Sequence, residues 1–232
     1  MSRFLALGDS YTIGEGVARD DSWPLVLTSL LATRHLPLAT PRVIATTGWT
    51  TDELMAAVKA DKADKADNYD LVTLLIGVND QYRGRPVEQY RTGLIALLQY
   101  AIGRTRTRRS GRSPQAGHVS AGGERPDRSG QNVGSGAASR VIVVSIPDWS
   151  RTPFAEGRDR AAIVREIQSY NAVAAEEAAR AGCRWADIRA VQDADGDADT
   201  LLVADRLHPS AEAYEAWARA ILPFALAALG RA

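Results

Sequence analysis

Short apolar runs that alternate with longer stretches of helical spacing constrain this chain more than any other feature. The runs lie near Phe4–Leu7, Val43–Ala45, Leu71–Ile76, Val141–Ser145 and Arg184–Ala186. Each has the length of a strand, and a helical stretch between consecutive strands lets them lie parallel in one sheet. The run Leu71–Ile76 is broken only by Thr73, the pattern of a strand buried on both faces. The expected class is therefore α/β, a five-stranded parallel sheet with helices on both faces.

Helix ends carry their own signals. Thr50 and Glu53 have the spacing of a capping box, and Gly182 follows an Ala-rich stretch from about Asp159 as a left-handed terminator. Pro209 and Ser210 open a last helix whose apolar positions Ala213, Trp217, Ala220, Ile221 and Phe224 recur at helical spacing. Pro223 is expected to kink or end that run.

A chain of 232 residues is short enough for one continuous core, so residues 1–232 are expected to form a single domain. One stretch departs from the pattern. From Arg104 to Ser139 the chain is rich in Arg, Gly and Ser, and Val119 and Val133 are its only branched apolar residues. Such composition buries too little surface to offset its ordering entropy, and residues 104–139 are expected to be a disordered basic insertion. A nucleic-acid or acidic-lipid arm is the alternative, since Arg104, Arg106, Arg108, Arg109 and Arg112 cluster there. No aromatic residue is available in it for base stacking, and nucleic acid is not the expected partner.

The 28 basic and 28 acidic side chains cancel, so no whole-molecule field steers a polyanion or holds the protein on an acidic membrane. Cys183 is the only cysteine, which leaves the fold to packing and favours a reducing compartment. The first residues hold too short an apolar run for a signal peptide, and no stretch approaches the roughly 20 apolar residues of a membrane span. The expectation is a soluble, cytoplasmic protein of undetermined oligomeric state.

Four motifs follow separate expected strands. Gly8-Asp9-Ser10-Tyr11 comes directly after the first, so Ser10 is aimed at the carboxyl end of the sheet, where open α/β folds hold their ligands. A serine hydroxyl is a weak nucleophile until a base takes its proton. Asp205-Arg206-Leu207-His208-Pro209, just before the last helix, offers that base: Asp205 can accept the Nδ1 proton of His208 while Nε2 takes the proton of Ser10. Of the other histidines, His118 sits in the basic stretch and His35 near a helix end. Gly77-Val78-Asn79-Asp80 follows the strand at Leu71–Ile76 and supplies a carboxamide donor for an oxyanion, and Gly48 supplies a backbone N–H free of a side chain. Taken singly, each motif is also an ordinary turn. Their common place at the carboxyl edge favours catalysis.

The ordered set of Gly-Asp-Ser with Ser10, Gly48, Gly-x-Asn-Asp with Asn79, and Asp-x-x-His with Asp205 and His208 resembles the SGNH hydrolases, the GDSL-type esterases and lipases, over almost the whole chain. The resemblance implies a flavodoxin-like three-layer α/β/α fold, ester or thioester hydrolysis through an acyl-enzyme, and no metal or organic cofactor. It implies Ser10 as nucleophile, His208 as base, Asp205 as its partner, and Ser10, Gly48 and Asn79 as oxyanion donors. Tyr11 stands where the four-letter nickname has Leu.

Two further places carry expectations. Trp149, after the fourth strand, either lines a substrate pocket or covers the core. The run Asp193 to Asp199 has calcium-loop character but Ala198 and Ala204 stand where such a loop needs Gly and Glu, so a solvated acidic loop is expected. The expected activity is hydrolysis of small or short-chain acyl esters. Alternatives are a thioesterase, a lysophospholipase, a sugar O-acetyl esterase, or a non-catalytic protein that binds through the basic insertion.

Overall fold

The computed structural model describes residues 1–61, 68–106, 135–194 and 201–231. Among them the strands β1 (Phe4–Gly8), β2 (Arg42–Ala45), β3 (Leu71–Leu75), β4 (Val141–Val144) and β5 (Arg184–Ala186) form one sheet in the order β2-β1-β3-β4-β5, every neighbouring pair parallel. Every residue of β1, β3 and β4 is buried, whereas β2 and β5 at the edges are only partly so. The near-continuous apolar runs are thus the inner strands, which have no solvent face to accommodate polar residues.

The helices are α1 (Ser10–Ile13), α2 (Trp23–Thr33), α3 (Thr51–Ala60), α4 (Val78–Tyr82), α5 (Val87–Gly103), α6 (Ser135–Ala138), α7 (Arg160–Ala181), α8 (Arg189–Ala194) and α9 (Ala211–Ala228). From β1 the chain moves outward to β2, then reverses to β3, β4 and β5. Because such crossovers are right-handed, reversing the direction puts the connecting helix on the opposite face. Accordingly α2 packs with α9 on one face, while α5 packs with α3 and α7 on the other. This is the flavodoxin-like three-layer α/β/α arrangement, and its switch point lies between β1 and β3.

The anticipated helix signals recur in the structure. Glu53 accepts a hydrogen bond from the Thr50 N–H at 2.8 Å, and Gly182 ends α7 with φ 73°. Pro223 does not end the last helix: α9 continues to Ala228, with Ile221, Leu222, Ala225 and Ala228 buried. Packing on both sides of the proline outweighs its lost hydrogen bond.

The stretch 104–139 is ordered at both described ends, which corrects its expected boundaries. The Arg106 N–H donates to Tyr69 O at 2.9 Å, Ala137 and Ala138 of α6 are buried, and the Thr105 hydroxyl donates to Ala137 O at 3.1 Å. Small alanines and backbone hydrogen bonds suffice here, without the branched apolar residues on which the expectation was based. Residues 107–134 lie outside the described residues, as do 195–199 of the acidic run. Among the described residues no helix is long and apolar enough to cross a membrane.

Candidate active site

The sheet register brings the motif-bearing loops to one level. Gly8 pairs with Ala45 on one side and with Leu75 on the other, so Ser10, Gly48 and Asn79 stand two, three and four residues beyond strand ends that are aligned. Ser10 and Asn79 therefore flank the switch point, where the connections diverge to opposite faces and leave a crevice.

Ser10 is buried, and its Oγ lies 2.8 Å from His208 Nε2. His208 Nδ1 lies 2.6 Å from Asp205 Oδ2. The other carboxylate oxygen of Asp205 accepts the Leu207 and His208 backbone N–H groups, each at 2.9 Å. Burial works against the Asp205 charge, but the hydrogen bonds from the His208 ring, the His208 N–H and the Leu207 N–H hold its carboxyl below the usual range. Between Asp205 and His208, Arg206 has φ 62°, a left-handed conformation that turns the chain so that both ends of the motif meet. Tyr11 lies beside the imidazole, with ring centroids 5.0 Å apart, and stacks on Trp217 at 5.9 Å. The residue that departs from the nickname is an aromatic wall for the histidine.

Gly48 has φ 84°. A β-carbon there would meet only Arg83, at 3.8 Å, so backbone conformation rather than space calls for glycine. Gly77, before Asn79, has both constraints: φ 125°, and a β-carbon would come within 2.5 Å of Tyr90. Asn79 Nδ2 donates to Trp49 O at 3.0 Å and, at a longer 3.4 Å, to Asp9 Oδ2. The short bond fixes the amide plane. The long one is weak enough to be shared with an oxyanion.

The loops that carry Gly48 and Asn79 are stapled together. The Asp80 carboxylate accepts the Thr51 N–H and hydroxyl, both at 2.9 Å, and Arg83 Nη2 donates to Gly48 O at 2.6 Å. Asp9 is wholly buried and accepts the Tyr11 N–H at 3.1 Å. Burial, reinforced by the Asp80 charge, outweighs that hydrogen bond and pushes the Asp9 carboxyl up to about 8.

Ser10, Gly48, Asn79 and His208 share a cavity of about 530 Å³ whose opposite wall is aromatic: Tyr82, Trp149 and Phe154. Trp149 is buried and its Nε1 donates to Gln81 Oε1 at 2.8 Å, so it packs the core and also lines this cavity. Its loop is fixed by Asn171, which exchanges hydrogen bonds with the Ile146 backbone at 2.9 and 3.0 Å. A second cavity of about 540 Å³, largely apolar, adjoins the first across Tyr11, Trp149 and Leu207.

The other candidate residues lie elsewhere. His35 is exposed just after α2, and His118 lies outside the described residues. Cys183 precedes β5 and so belongs to the opposite, amino edge of the sheet; burial pushes its thiol up to about 12. The described residues contain no group of three or more His, Cys, Asp or Glu side chains placed to hold a metal ion. The sequence reading missed Asp9, Asp80, Gln81 and Arg83, whose partners are 29 to 70 residues away for all but the local Asp9 turn. Only Asp9 and Asp80, inside the motifs, had any signal in the sequence.

The model of the GDSL-like Lipase/Acylhydrolase family matches residues 6–216. No curated protein matches the chain. Among solved structures it is similar to TesA, at 19% identity and TM-score 0.66, over 98% of this chain and 100% of that one. It is also similar to Axe2, an acetylxylan esterase from Geobacillus stearothermophilus, at 20% identity and TM-score 0.64, over 97% of this chain and 94% of that one. A lipase/acylhydrolase from Enterococcus faecalis is similar at 19% identity and TM-score 0.65, over 96% and 94%. At such identities the structures establish the shared fold, and the family match, spanning all four motifs, establishes the chemistry class. The chain is a carboxylic ester hydrolase and belongs to the GDSL-like lipase/acylhydrolase family.

Proposed function

We propose that Ser10 is the nucleophile of an esterase acting on small, short-chain acyl esters, with His208 as general base and Asp205 as its orienting partner. The observation that supports this most is the unbroken line from Asp205 Oδ2 through the His208 ring to Ser10 Oγ, at 2.6 and 2.8 Å, opening into the cavity that Gly48 and Asn79 also line.

In this reading His208 Nε2 takes the Ser10 proton as Oγ attacks the acyl carbonyl carbon. The carbonyl oxygen becomes negative and is held by the N–H groups of Ser10 and Gly48 and by Asn79 Nδ2. Asp205 stabilises the imidazolium. His208 then protonates the departing alkoxide, the acyl-enzyme remains on Ser10, and His208 activates a water that releases the acid. The bulky aromatic wall formed by Trp149 and Phe154 favours a small acyl group. The adjoining apolar cavity behind Leu207 supports a second reading, in which a longer acyl chain extends past Tyr11 and Trp149.

Hydrolysis of p-nitrophenyl acetate, butyrate and octanoate by the wild type and by Ser10→Ala tests both. Loss of activity in a folded Ser10→Ala protein supports the nucleophile, and its retention refutes it. A rate falling from acetate to octanoate supports the small pocket; a rise supports the second cavity.

A further inference from the structure

Arg158 lies at the aromatic wall of the catalytic cavity. Its guanidinium carbon is 5.0 Å from the centroid of the Tyr82 ring, 5.4 Å from Phe154 and 5.6 Å from Trp149. All three rings line the cavity that holds Ser10 and His208. They also pack on one another, with Trp149 5.7 Å from Tyr82 and 5.9 Å from Phe154. Tyr82 is 44% exposed and Phe154 37% exposed, so the cluster reaches the surface and forms the rim of the cavity.

A guanidinium carries five N–H donors along its edge, and stacking on aromatic faces leaves that edge free. Arg158 uses one donor, to the Tyr82 hydroxyl at 3.1 Å, and forms no ion pair among the described residues. Arg83, at the same edge of the sheet, differs: its guanidinium is committed to Gly48 O and to Glu53. The next acidic side chain along the chain from Arg158, Asp159, caps α7 by accepting the Ala162 N–H at 2.9 Å. Contact with three rings restricts the guanidinium before any ligand arrives, which reduces the ordering cost of binding.

We propose that Arg158 is a specificity residue that recognises a negatively charged group, a carboxylate or phosphate, on the ester substrate, seated on the Tyr82–Trp149–Phe154 platform. This inference rests on the reading of the cavity as an esterase site. A flat or apolar segment of the substrate lies against the rings, and the anion meets the free guanidinium edge in a charge-assisted, bidentate contact.

The test measures kcat and KM for two matched pairs. In one the charge is on the leaving group, 4-acetoxybenzoate against 4-acetoxybenzamide; in the other it is on the acyl group, 4-nitrophenyl hydrogen glutarate against 4-nitrophenyl pentanoate. Wild type, Arg158→Gln and Arg158→Lys are compared, with folding checked by circular dichroism. In at least one pair Arg158→Gln is expected to lower the anionic-to-neutral ratio of kcat/KM by about tenfold, mainly through KM. Arg158→Lys, which keeps the charge but loses the planar fork, falls between. The responding pair identifies which side of the ester carries the anion. A ratio unchanged in both pairs overturns the assignment of Arg158 while leaving the esterase reading intact. Failure of the wild type to cleave any of the four esters overturns both.

Discussion

Asp205 makes three contacts with residues 207 and 208, and they separate by oxygen atom. One oxygen fixes the backbone and the other the His208 ring. An Asn at this position can keep the backbone contacts but loses the charge that stabilises an imidazolium and the acceptor that selects its tautomer. Asp205→Asn is therefore expected to fold normally and to lose about ten-thousandfold in kcat on p-nitrophenyl acetate. A loss below tenfold would contradict its role. In the proposed reading Asn79→Ala removes one of three oxyanion donors, and the expected loss in kcat is about a hundredfold to a thousandfold with the circular dichroism spectrum retained. At this scale the residues proposed to react were legible because each sits in a short local pattern. The residues that hold them were not. Arg83 and Gln81 act across 35 and 68 residues of sequence, and nothing local to them records those partners.

The helix α3 shows how an element carries chemistry it does not contain. Its first residue, Thr51, is held by Asp80 of α4, and the loop just before it carries Gly48. Thr50 donates its hydroxyl to the Glu53 carboxylate at 2.7 Å while its N–H donates to the same oxygen at 2.8 Å. Thr50→Ala loses half of that exchange and is expected to lower stability by about 1 kcal/mol, read as a shift in the urea midpoint with unchanged slope. An unshifted midpoint would remove Thr50 from the account of how this loop is anchored. The five strands and the caps of α3 and α7 were legible because apolar runs and end residues are local signals. α4 was not, since its five residues, Val78–Tyr82, are too few to show a helical period, and Asn79 read as part of a turn. Of the two expectations at Pro223, a kink or an end, α9 contradicts the end, because a sequence pattern does not register the packing that carries the helix past it.

Over the whole molecule, the site draws on residues 9 to 208 because the switch point gathers the loops of strands distant in sequence. That concentration puts one costly group in the interior. Asp9 is held neutral up to about pH 8, whereas in the unfolded chain it ionises near an ordinary value of about 4. Below pH ~4 the carboxyl is protonated in both states and its contribution to stability is intact. Between these limits only the unfolded chain releases the proton, so the contribution is lost progressively as pH rises to about 8. Asp9→Asn, which is neutral throughout, is expected to flatten the decline of the denaturation midpoint over that range; parallel profiles for the two proteins would refute the buried-acid description. The fold class was legible at this scale because alternating strands and helices leave few topologies. The candidate cavity and its aromatic wall were not, because they depend on side chains meeting across loops. The central claim, that Ser10 is an activated nucleophile, is tested most directly by incubating the native protein with a fluorophosphonate and locating the adduct by peptide mass spectrometry. The expected result is one modification, on Ser10, abolished in His208→Ala. Absence of labelling in the folded wild type, or labelling at another serine, would contradict it.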